Sequence, residues 1–168
     1  VEEVFKGQEE DRVRAEAWLK EHLKENGIQP LLGWIQTTAE PVLFHYYNIS
    51  FFEGDGEALW IGRSGHTVMD KLKGNQLQTY TFQLGQKDLE EVQKKLSGFP
   101  ADHLKIKDRP GIVDEVKVRF AFADSNGGIH SFAMWQGDWS SQSVEFKVFP
   151  EIIGKILDIS KKLSPTST

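Results

Sequence analysis

The stretch Val116–Trp135 reads VKVRFAFADSNGGIHSFAMW. Its first half alternates. Val116, Val118, Phe120 and Phe122 fall on one side, and Lys117 and Arg119 fall on the other. This period of two marks a strand with one buried face. Asp124-Ser125-Asn126-Gly127-Gly128 follows, rich in residues that accept positive φ or close a turn with their own side chains. Ile129–Trp135 then returns as a second strand. Strands joined by so short a link are antiparallel neighbours, because a parallel pair needs a crossover of about a dozen residues. This hairpin sets the fold class, an antiparallel sheet to which helices are added.

Upstream, Val42–Phe52 (VLFHYYNISFF) is aromatic and β-branched, and Ala58–Gly62 is a shorter strand beyond Glu53-Gly54-Asp55-Gly56-Glu57. Leu77–Leu84 alternates again, with Thr79 and Thr81 set against Tyr80 and Phe82. Lys87–Leu96 switches to helical spacing, with Leu89, Val92 and Leu96 on one face. Its acids (Asp88, Glu90, Glu91) come early and its lysines (Lys94, Lys95) late, matching the helix dipole, and Gly98 stops it. Another helix is expected over Gln8–Asn26, with Ala15, Trp18, Leu19, His22 and Leu23 on one face and Gly27 as its stop. A loop with Pro100 and Pro110 precedes the opening hairpin. Beyond that hairpin, Val144–Val148 alternates as a further strand, and Pro150 opens a last helix with Ile152, Ile153, Ile156 and Leu163 in its stripe.

The expectation is an α+β fold of order α-βββ-α-ββ(β)-α, an antiparallel sheet of five to six strands with helices on one face. The 168 residues suit one globular domain, with 1–7 and 164–168 as frayed ends. The order of elements is similar, in arrangement only, to secretion-chaperone-like proteins and to small secreted protease inhibitors of the emfourin kind; no residues are matched to either.

Composition excludes several functions. With no cysteine, disulfides, thiolate metal sites and thiol catalysis are ruled out. A net charge of −5 with interspersed signs argues against nucleic acid, and no apolar run is long enough for membrane insertion. The chain opens at Val1 rather than Met, which is compatible with a processed leader and an extracytoplasmic location.

The acids of Glu53–Glu57 raise the question of a metal site, but three carboxylates fall short of the six or more oxygens of a calcium loop. The segment reads as a turn, and no metal or cofactor is expected. Ala58-X-Trp60-X-Gly62 recurs as Ala133-X-Trp135-X-Gly137, each after an acidic, glycine-rich turn, which strengthens that reading. His22, His45, His66, His103 and His130 show no metal-pair spacing. Ser64 and His66 lack a nucleophile elbow.

The surface candidate is Trp135–Ser143, WQGDWSSQS. Trp135 ends a strand, and Asp138 and Trp139 lie beyond it; exposed tryptophan is enriched where proteins meet. The competing reading has Trp139 folded back to cap the sheet. The functional expectation is a non-enzymatic module that binds another protein, as an inhibitor, chaperone or immunity-like protein. It would use Trp135, Asp138 and Trp139 and exist as a monomer or weak homodimer. The alternative is a small hydrolase or ligand-binding protein with a pocket between sheet and helices. A pocket holding a His–carboxylate pair would favour that alternative.

Overall fold

The computed structural model describes residues 41–50, 53–100, 115, 117–139 and 144–166. The helix expected over Gln8–Asn26 lies outside these, as does Val116. In chain order the elements are β1 (Val42–Ser50), β2 (Asp55–Gly62), β3 (His66–Lys73), β4 (Gln76–Gln83), α1 (Gln86–Ser97), β5 (Lys117–Ala123) and β6 (Ile129–Trp135). A single helical turn, α2 (Gln136–Trp139), follows, and a short 3-10 segment (Val144–Lys147) runs into α3 (Val148–Lys161). The fold is α+β. Among the described residues six strands form one sheet in the order β4-β3-β2-β1-β5-β6, antiparallel at every step.

Register shows why these sequences share a core. Phe44 on β1 lies between Ile61 and Phe122, and Tyr46 lies between Leu59 and Phe120. The row extends through Met69 and Tyr80 on one side and Phe132 on the other. Onto this face α1 sets Leu89, Val92 and Leu96, and α3 sets Phe149, Ile152, Ile153 and Ile156. Phe149 is the hub. Its ring lies 4.7 Å from Phe99, 4.9 Å from Phe120, 5.0 Å from Phe146 and 5.4 Å from Phe122. Outside the core, Lys95 pairs with Glu151 at 2.8 Å and Lys155 with Asp88 at 3.0 Å, tying α1 to α3.

Two elements differ from expectation. The sixth strand is His66–Lys73, whereas Val144–Val148 is helical. In β3, Val68, Asp70 and Leu72 point to one face and Thr67 and Met69 to the other, and all of them are buried. A strand buried on both sides shows no polar–apolar alternation. At Val144–Val148 the apparent period of two coincides with a true period of three, Phe146 to Phe149, which belongs to the helix.

The face away from the helices is not uniform. On β1 to β4 it carries buried Ile49, Trp60, Val68, Leu72 and Leu77. On β5 and β6, Lys117 is exposed and Arg119, Ser131, Ala133 and Trp135 are half-buried. The sheet's two edges differ as well. Thr166 lies beside β4: its N–H donates to the Thr79 carbonyl at 2.6 Å, and its Oγ1 accepts from the Thr81 N–H at 2.8 Å. Among the described residues no strand pairs outside β6, and no helix is long and apolar enough to cross a membrane.

Candidate functional site

The β5–β6 hairpin places the sequence candidates. Trp135 ends β6 directly across from Lys117, whose ammonium sits 5.3 Å over the indole ring, a cation–π contact. In the neighbouring row Arg119 lies between Tyr47 on β1 and Ala133 on β6. Tyr47, Arg119, Lys117 and Trp135 therefore share one face at the end of the hairpin, away from the helices.

Trp139 goes elsewhere. The turn of α2 carries it to the helix-covered face, where it meets Phe146 at 4.7 Å, Phe120 at 5.4 Å and Tyr46 at 5.6 Å. Edge-to-face contacts of this kind are those of a core aromatic. The Gly137 N–H donates to Glu115 Oε1 at 3.0 Å and anchors the turn. Asp138 sits half-buried in α2. Trp135 and Trp139 thus lie on opposite faces, and the structure does not bring them together. It brings Trp135 instead to Lys117, Arg119 and Tyr47, which sequence reasoning did not single out. The alternation of β5 already put Lys117 and Arg119 on one side; what was hidden was the register that sets Trp135 and Tyr47 beside them.

At the other end of the hairpin Asp124 organises the turn. Its Oδ1 accepts the N–H groups of Asn126 and Gly128, each at 2.9 Å, and its Oδ2 meets His130 Nε2 at 2.9 Å. The bond to His130 and those two backbone donors hold the Asp124 carboxyl below its usual range. The His130 ring stacks on Phe122 at 5.2 Å. A His–carboxylate pair is therefore present, but among the described residues no hydroxyl bonds to His130 as a nucleophile would.

The remaining sequence candidates among the described residues are structural in their contacts, and His22 and His103 lie outside those residues. His66 presents its ring to Trp60 at 6.4 Å, and its backbone N–H reaches Ser64 Oγ at 3.5 Å, so the two side chains do not pair. In the Glu53–Glu57 segment, Asp55 Oδ1 accepts the Gly56 N–H at 2.9 Å, and Glu57 is raised above its usual range, chiefly by burial. Among the described residues no three His, Asp or Glu side chains group so as to hold a metal ion. Two buried groups on the face away from the helices are shifted strongly: desolvation lowers His45 to about 4 and raises Asp70 to about 7.

No protein-family model, curated protein or solved structure matches the chain.

Proposed function

We propose that the protein is a non-enzymatic binding module that takes up an extended segment of a partner protein along β6. The observation that carries this reading is the order of the sheet: β6 is an edge outside which no described strand pairs, while the opposite edge is engaged by Thr166. Edge strands that must stay unpaired are normally blunted by lysine, proline, a bulge or short length. β6 is seven residues long, reads IHSFAMW with neither lysine nor proline, and runs in unbroken register with β5. Backbone hydrogen bonds would supply affinity, and side chains beside the edge would select the sequence. Those side chains are Trp135, Arg119 and Tyr47, of the residue types that dominate binding energy at interfaces, together with Lys117. Lys117 adds an exposed cation beside the edge, which favours an acidic residue in the segment. Trp139 supports the site from below through Phe120, and Asp138 lies in the turn that redirects the chain.

Strand addition has a chemical signature. Peptides selected against the protein from a random library would be resynthesised with N-methyl groups on alternate residues. One set of methylated positions is expected to abolish binding and the other to leave it nearly intact, since only every second amide faces the edge. Ala133→Lys should weaken binding of the unmodified peptide. Equal tolerance of both methylation patterns would refute recognition through the strand edge.

A further inference from the structure

We infer that the end of the sheet opposite Trp135 holds a second, independent site, which takes a small organic monocarboxylate. A cleft of about 460 Å³ opens there between the C-terminal half of α1 and the ends of β1, β2 and β5. That volume lies within the range of small-molecule sites.

Two cations line it: Arg63, from the turn after β2, and Lys94, from the last turns of α1. Among the described residues neither is paired with a carboxylate. Arg63 is oriented nonetheless, because its Nη2 donates to the Gly127 carbonyl at 3.1 Å and so fixes the guanidinium against the β5–β6 turn. Gly127 has a φ of 80°, and a side chain there would crowd the same guanidinium. A guanidinium held by one bond to a carbonyl retains N–H donors for a planar anion, and carboxylate geometry matches that fork. Lys94 also complements the negative end of α1, a structural role that does not require it to line a cleft.

The charge balance selects among anions. Asp124 stands in the same wall, ionised and committed to His130 and two backbone donors. The Asp124 carboxylate in that wall repels a second negative charge, which suits a monoanion and disfavours a phosphate dianion. Leu43 and Ala123 supply an apolar lining for a short carbon body.

The test is a titration of amide chemical shifts with butyrate, using butylamine and inorganic phosphate as comparators. Butyrate should give saturable shifts at Ser97 and Ser125–Gly127, butylamine none, and phosphate weaker binding than butyrate. Lys94→Gln should weaken butyrate about fivefold or more, the size expected from losing one charge-assisted contact. Ala133→Lys, at the other end of the hairpin, should leave the titration unchanged, which separates this site from the peptide edge. Absence of saturation with butyrate, an unaltered titration in Lys94→Gln, equal shifts with butylamine, or tighter binding of phosphate would each overturn the assignment.

Discussion

Asp70 and His45 impose opposite pH dependences on the same sheet. Asp70 is 1% exposed; its Oδ1 accepts from Thr79 Oγ1 at 2.5 Å, and among the described residues Oδ2 has no hydrogen-bond partner. Its carboxyl is raised from 3.8 to about 7, so the folded chain keeps a proton that the unfolded chain releases. Stability from this group is therefore greatest at low pH and is lost as pH rises from about 4 through about 7. His45 is lowered from 6.5 to about 4. The unfolded chain takes up a proton that the folded chain refuses, and stability is lost as pH falls from 6.5 to about 4. The Asp70 shift corresponds to roughly 4 kcal/mol and the His45 shift to roughly 3 kcal/mol, so the two nearly cancel where their windows overlap. Asp70→Asn removes one side of the balance. It should be more stable than the parent by up to about 4 kcal/mol near neutral pH and should lose stability steadily toward acid, as denaturant melts across that range would show. If the variant tracks the parent at every pH, this account of Asp70 is wrong. Neither group is legible in the sequence: His45 shows no metal-pair spacing, and no local pattern marks Asp70. Their chemistry comes from burial on the second face, a tertiary property that local pattern does not encode.

At the scale of elements, the β1–β2 turn shows what the sequence does encode. Glycine and acidic residues at Glu53–Glu57 read as a turn; the structure keeps Glu53 and Gly54 in the turn but already pairs Asp55, Gly56 and Glu57 with β1 as the start of β2, and it gives Gly54 and Gly56 separate reasons. Gly54 has a φ of 67° and abuts Asn75 of the β3–β4 turn, whose N–H donates to the Gly54 carbonyl at 3.2 Å. Gly56 has a φ of 133°, and a methyl group there would collide with the Asn48 backbone of β1. Gly74, by contrast, has a φ of 56° with open space around the position of a Cβ. Gly56→Ala should therefore cost about 3 kcal/mol or more, backbone strain plus the clash, and Gly74→Ala only about 1 kcal/mol. Equal midpoints in urea for the two variants would contradict this assignment. The elements that pattern reasoning recovered, such as β5, β6 and α1, are those with one wet and one dry face. β3 escapes the pattern because both of its faces are dry, and the pattern starts α3 at Pro150 rather than Val148 because Phe146 also fits a period of two.

At the scale of the molecule, strand order decides what is available for binding, and strand order was the property least visible in the sequence. The hairpin at Val116–Trp135 implies antiparallel pairing, but nothing local tells that β5 joins β1 and leaves β6 outermost among the described strands. That placement puts Trp135 at an edge beside Lys117 and Arg119, while Trp139 turns inward. The same edge is where a second copy of the chain would pair if the protein forms a weak homodimer, by antiparallel joining of two β6 strands about a twofold axis. Hydrogen exchange of the unbound protein at low concentration tests the central claim directly. Alternate amides of β6 should exchange at rates close to those of loops while the intervening ones, bonded to β5, stay protected. The Thr81 amide, donated to Thr166, should be protected on the opposite edge. Protection of every amide from Ile129 to Trp135 in the free monomer would mean that the edge is already covered, and the binding account would fail.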